Sequence, residues 1–255
     1  MKIGTDVPPS WADDADELSK FLEQARRNQH ATFHRKKVAY HLLREIDGCF
    51  MTIGKAMDNP SGMDLLSPFL LMRCHSAFRA ACGTAMAGQV YETFPLLRTA
   101  LECAAYALFM NLTPNMKEVW HNRNVDAASK KLMRKDFAIS KVAEAIVSKD
   151  EKLAEVFEVL YERCIDQGGH PNQLGVFGNA QITDIEDGKQ FNQIYLHGDG
   201  TALDTGLKTA VEVGICCLYL LQNVATFTTR FELLGLKQRL QELRRNSDAL
   251  VKRPL

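Results

Sequence analysis

Along most of this chain apolar side chains return every three or four positions, the period of a helix with one buried face. Leu18, Phe21, Leu22 and Ala25 carry that pattern toward Arg27. Before them, residues 1–10 read as an extended lead-in, because Pro8-Pro9 opposes a helix; Ser10 offers an N-cap with Asp13 behind it. A second helix is predicted over Ala31–Met57 on Val38, Leu42, Ile46, Cys49, Phe50 and Ile53, and Asp58-Asn59-Pro60-Ser61-Gly62 ends it. Residues 67–111 then lose the polar face almost entirely: their charged side chains are Arg73, Arg79, Glu92, Arg98 and Glu102. Two segments this apolar, joined at Gly88, predict the central hairpin of a larger helical body. The first holds a run of small residues from Ala80 to Gly88, which lets another backbone approach; the second carries Pro95 in its first turn, where proline is tolerated.

Beyond Asn111 the pattern predicts a short helix over 115–124 with Trp120 and His121, and a longer one over 125–148 that is basic at Lys130, Lys131, Arg134 and Lys135. A third, over 150–167, rests on Leu153, Val156, Phe157 and Leu160 and stops at Gly168-Gly169. Residues 170–201 change character, with five glycines and β-like pieces at 174–177 and 193–196, so a small β-hairpin or an ordered loop fits there. Residues 203–250 read as helical throughout, with a core face on Val211, Ile215, Leu218, Leu221 and Ala225 and a bend at Gly235. Residues 236–255 form an outer C-terminal helix and tail. No alternation of strand and helix predicts a parallel sheet. The expected architecture is all-α, a bundle of about seven to nine helices in one domain over residues 1–255, with one irregular insert.

Charge and composition narrow the function more than they name it. The 31 basic and 31 acidic residues balance, so no general affinity for nucleic acid follows. The N-terminus has no apolar core of a signal peptide, and the longest apolar run, Val213–Leu221, is too short to span a bilayer. Seven cysteines without a CxxC pair predict reduced thiols in a soluble, cytoplasmic protein without a structural zinc site. No phosphate-binding GxxxxGK[ST], HExxH, GxSxG or dinucleotide fingerprint is present, so no cofactor is expected. The insert offers His170, Asp184, Glu186, Asp187, His197 and Asp199, but only His197-Gly198-Asp199 is tightly spaced, which predicts a solvated acidic loop rather than a metal site.

Candidate chemistry gathers at two places. Arg98 and Glu102 stand four apart on one helical face amid apolar residues, where an unpartnered charge is costly. They either lock the helix in register or hold a guanidinium that reads a small phosphate- or carboxylate-bearing ligand. His75 and Arg79 share a face of the neighbouring segment and would add to such an anion site. The second place is YERCIDQGGHPNQ, residues 161–173, with six residues between Arg163 and His170 and with Asn172 alongside. His170-Pro171-Asn172 also suits a plain helix end that starts the insert.

Arginine followed by histidine after four to six residues resembles the signature of the HEPN superfamily of helical-bundle ribonucleases. There the pair lies near a helix end at a dimer interface and cleaves RNA without metal. The resemblance implies that His170 moves a proton at the ribose hydroxyl while Arg163 steadies the phosphorane charge. Here Cys164 stands where that family often has a polar residue, and Gly168-Gly169 precede the histidine. Over roughly residues 65–225 the chain also resembles bacterial helical proteins known only as a domain of unknown function, some of them near abortive-infection genes. That likeness rests on Arg98, Glu102 and His170 and implies a fold and a pocket. Two expectations result. One is a self-associating binding or regulatory protein with a pocket of Arg98, Glu102 and His170. The other is a metal-independent ribonuclease of a toxin or phage-defence system, in which RNA is the partner.

Overall fold

The computed structural model describes residues 16–57, 62–169, 171, 173–248 and 250. The predicted lead-in over 1–10 and the Ser10 cap lie outside the described residues, as do His170 and Asn172. Two helices, α1 (Glu17–Arg35) and α2 (Lys37–Lys55), precede the central hairpin of α3 (Leu66–Ala87) and α4 (Val90–Leu112). Four more follow: α5 (Met116–His121), α6 (Ala127–Asp136), α7 (Ile139–Lys149) and α8 (Glu151–Cys164). The insert holds a helical turn, α9 (Gln173–Phe177), and an antiparallel hairpin of β1 (Ala180–Ile185) and β2 (Gly188–Gln193). The chain closes with α10 (Thr201–Gln222), α11 (Ala225–Leu233) and α12 (Leu236–Ser247).

The architecture is all-α with one β-hairpin, and twelve α-helices lie among the described residues, more than the seven to nine predicted. The excess comes from the turn α9 and from two places where the apolar period continues while tertiary contacts turn the backbone. At the N-terminal end the number of helices is as predicted but the break is displaced: α1 runs on through 28–35, and the chain turns at Lys36, which leaves helical geometry and whose ammonium lies 2.7 Å from Asp204 at the start of α10. The stretch over 125–148 breaks at Phe137-Ala138, where the buried Phe137 ring meets Tyr106 and Phe109 edge-on at 5.0 and 5.1 Å. Residues 203–250 break first after Gln222, where the buried Val224 is extended and α11 leaves α10 at 107°. Gly235, with φ +67, makes the second break, as predicted.

α4 is the axis of the body and packs against α3, α10 and α8. Its Leu97, Ala100, Leu101, Ala104, Ala105 and Leu108 are fully buried, which is why this segment has so little polar surface. Pro95 sits six residues into α4 rather than in the first turn, so the Tyr91 carbonyl lacks its usual amide donor. The chain leaving α8 fills that gap: a Cβ on Gly168 would lie 2.4 Å from the Tyr91 oxygen. α3 ends at Gly88, φ +85, a left-handed cap in which the Gly88 and Gln89 amides bond the Ala85 and Thr84 carbonyls at 3.0 Å. Among the described residues no single helix is long and apolar enough to cross a membrane.

The strands lie at 180–185 and 188–193, and not at the β-like pieces predicted over 174–177 and 193–196. Leu174–Phe177 belongs to the helical turn α9, and the two-residue Glu186-Asp187 turn, closed by Gly188 at φ +140, sets a register pairing Ile182 with Phe191.

Candidate functional site

Three polar assemblies emerge from the sequence-predicted residues, each built across different helices. In the first, Arg98 Nε donates to Glu102 Oε1 at 3.0 Å on α4, and Arg98 Nη2 donates to the Tyr161 hydroxyl of α8 at 2.9 Å. That hydroxyl in turn donates to Glu102 Oε1 at 3.0 Å, and the guanidinium carbon stands 5.1 Å from the Tyr161 ring centroid. Burial, with Glu102 next in weight, pushes the Tyr161 phenol up to about 12, so it stays protonated and can serve both bonds. Arg98 is held in its charged form against burial by Tyr161 and Glu102. The triangle joins α4 to α8 and satisfies the charge pair that the sequence exposes.

His75 and Arg79 do share a face of α3, but what they meet is Asp47 of α2. Arg79 grips its carboxylate with both Nε and Nη2, at 2.6 and 2.9 Å, and His75 Nε2 lies 2.6 Å from Oδ1. The imidazole stacks on Phe50 at 5.0 Å and 11°. Hydrogen bonds from Arg79 above all, and from His75, hold the Asp47 carboxyl below its ordinary value near 3.8. A carboxyl depressed in the folded state stabilises at pH values above its unfolded pKa, and that stabilisation is lost as pH falls through the folded pKa. The wild-type melting temperature is therefore expected to fall more steeply below about pH 4 than that of Asp47→Asn, as a pH series of thermal melts would show. Parallel curves would remove this assignment.

The third assembly surrounds Arg163, in the last turn of α8. It does not join Arg98. Its Nη1 donates to Glu212 Oε2 at 2.5 Å and to Thr209 Oγ1 at 3.3 Å, both on α10. Glu212 also lies 3.7 Å from Lys208 Nζ, so one carboxylate serves two cations. Among the described residues, the Arg163 Nε–H and the Nη2 amino group donate to no acceptor. Arg163 stands on a cleft of about 550 Å³ between α8, α10 and α12, within the range of small-molecule sites. Leu153, Val156, Val159, Leu160 and Ile215 give it an apolar floor, and Val159 is 59% exposed there. Tyr219, Arg244 and Ser247 line the side toward α12. Val159 and Arg163 are shared with a second, more acidic cleft that includes Glu158, Glu162 and Asp166.

The insert is fastened to the α3–α4 turn. His197 N donates to the Gly88 carbonyl at 2.7 Å, His197 Nε2 lies 2.9 Å from Asn179 Oδ1, and Asn179 Nδ2 donates to Glu92 at 3.2 Å. Burial lowers the His197 pKa, which favours the neutral ring. The insert carboxylates behave as surface charges: Asp199 meets Arg35 at 2.7 Å and Asp184 meets Lys189 at 3.7 Å. Among the described residues no group of three or more histidine, cysteine or acidic side chains could hold a metal ion. All seven cysteines are free thiols, and burial pushes Cys164, between Arg98 and Arg163, up to about 12.

Sequence reasoning missed Tyr161, Asp47, Thr209 and Glu212. Glu212 had the same signal as Arg98, a lone charge in an apolar run, TAVEVGICCLYLL. Compared with known proteins, the chain matches no family model, no curated protein and no solved structure.

Proposed function

We propose that this chain is a cytoplasmic binding protein with a regulatory role, and that its ligand has an apolar body and an anionic end. The observation that carries the reading is the Arg163 guanidinium with N–H groups to spare, at the edge of an apolar-floored cleft. Asp150, Glu155 and Asp248 line the cleft as well as Glu212, so a carboxylate, sulfonate or phosphate would be held by the spare guanidinium donors of Arg163 themselves rather than by a surplus of positive charge. The Arg98–Glu102–Tyr161 triangle has the supporting part here: it fixes the end of α8 from which Arg163 projects.

1-Anilinonaphthalene-8-sulfonate has the required shape and charge, and its fluorescence is the first assay. Saturable binding at one site is expected, competed by decanoate, and weakened about tenfold by Arg163→Gln, in line with a charged hydrogen bond. Val159→Asp should abolish it while leaving the circular dichroism of the helices unchanged. Binding indifferent to both substitutions would place the ligand elsewhere and end this reading.

A second reading draws on the same unspent donors. With His170 as proton carrier, Arg163 could steady a phosphorane, as in the metal-independent ribonuclease of a defence system to which residues 161–173 are similar. RNA incubated in EDTA with wild type and with His170→Ala decides it: cleavage by wild type alone supports it, and equal cleavage or none removes it.

A further inference from the structure

The hairpin of the insert departs from the pattern of the longer helices. Each of those buries part of its surface, whereas β1 and β2 are exposed along their length apart from a half-buried Asn192. A lone two-stranded ribbon is marginal in water, and this one carries large apolar side chains outward. Side chains alternate across a strand, so the register places Ala180, Ile182 and Asp184 on one face with Gln193, Phe191 and Lys189 opposite them. At the middle of that face Ile182 and Phe191 are paired, 56% and 75% exposed. Leu174, Phe177 and Tyr195, in the segments that flank the base of the hairpin, are exposed as well.

The hairpin's base is not loose. Asn179 is buried, Ile194 N bonds its carbonyl at 2.7 Å, and His197 is clamped to Gly88. The molecule thus presents an anchored arm with a bare apolar centre, and the charges beyond that centre indicate what covers it. Asp184 and Lys189 lie side by side toward the tip, one of each sign. Consider two such faces packed together about a two-fold axis that runs along the arms between them. β1 of each copy then lies over β2 of the other. Ile182 meets the other copy's Phe191, and Asp184 meets its Lys189, in both directions at once. A face that is complementary to itself in this way suits an isologous contact.

We propose that this chain forms a homodimer through that face of the β1–β2 arm, with the Ile182–Phe191 pair as its dry centre and Asp184 and Lys189 setting its register. The proposal is independent of the ligand cleft and of any catalytic activity.

Sedimentation equilibrium over a range of concentrations tests it on the full chain. Wild type is expected to dimerise, and Phe191→Asp to sediment as a monomer. Asp184→Lys alone, and Lys189→Asp alone, each set like charges against one another across the axis and should weaken the dimer about tenfold. An equimolar mixture of these two variants pairs opposite charges again and should recover dimer at the wild-type concentration. The arm contributes nothing to the helical core, so the helical circular dichroism should be unchanged in all three variants. A wild type that stays monomeric, a Phe191→Asp protein that still dimerises, or charge variants that do not rescue each other would each overturn the proposal. The first outcome would leave the arm to a different partner.

Discussion

Asp204→Ala is expected to lower the melting temperature by roughly 10 °C, an effect of about 3 kcal/mol for a chain of this size. The reason lies with its partner. The Lys36 side chain is only 7% exposed, and its ammonium sits 2.7 Å from Asp204 Oδ1, a close ion pair though not aligned as a hydrogen bond. Removing the carboxylate leaves a cation with little water and no counter-charge, which costs far more than the pair contributes net. Asp204 also stands in the first turn of α10, where a negative charge suits the helix dipole. The cause can be separated from simple loss of packing. Lys36→Met in the Asp204→Ala background removes the stranded charge while keeping an apolar stem, so most of the lost stability should return. Thermal melting of the two variants decides it: a single variant within about 2 °C of wild type, or a double variant no better than the single, would show that the pair is a bystander.

Gly88→Ala should cost about 2–3 kcal/mol and free the insert from the body. Two penalties combine at this position. The backbone is left-handed at φ +85, where an L side chain is strained by roughly 1–2 kcal/mol. A Cβ would also stand 2.2 Å from the His197 carbonyl oxygen and 2.9 Å from its nitrogen, both backbone atoms that have no side-chain freedom to yield. The His197 N–H bond to Gly88 would have to open, and the bond from His197 to Asn179 with it. Gly88→Asn separates the two penalties, because asparagine tolerates a left-handed backbone but still carries a Cβ. Both variants should show protease cleavage within residues 178–200 that wild type resists. Gly54→Ala is the control: nothing lies within 4 Å of its Cβ and it is inside α2, so it should be neutral or mildly stabilising. If Gly88→Asn were as protease-resistant as wild type, the clamp would owe nothing to the close approach.

These two positions also mark where the sequence stops being readable. Gly88 was legible as a joint between two apolar segments, because a glycine after a helix is a local signal. That it receives the insert was not, since His197 lies far along the chain. Lys36 stands in the basic run His34-Arg35-Lys36-Lys37, and nothing local sets it apart from its neighbours. Its turn exists because Asp204 is there to meet it. Among the site residues, Arg98 and Glu102 could be paired by eye because a helix brings residues four apart together. Arg163 and Glu212 could not, because no local rule links the end of α8 to the middle of α10.

By itself, then, the sequence determined the all-α class, the central position of the α3–α4 hairpin, the Arg98–Glu102 pair and the place of the insert. All of these follow from side-chain period, local turn chemistry or spacing within one helix. The tertiary structure decided the rest: where the long apolar stretches break, which strands pair in the insert, and that His75 and Arg79 meet Asp47 while Arg163 meets Glu212. Those choices depend on which buried group needs a partner and which surface is close enough to supply it. That is a property of the assembled body, because the partners come together only when α2, α8 and α10 have packed around α3 and α4.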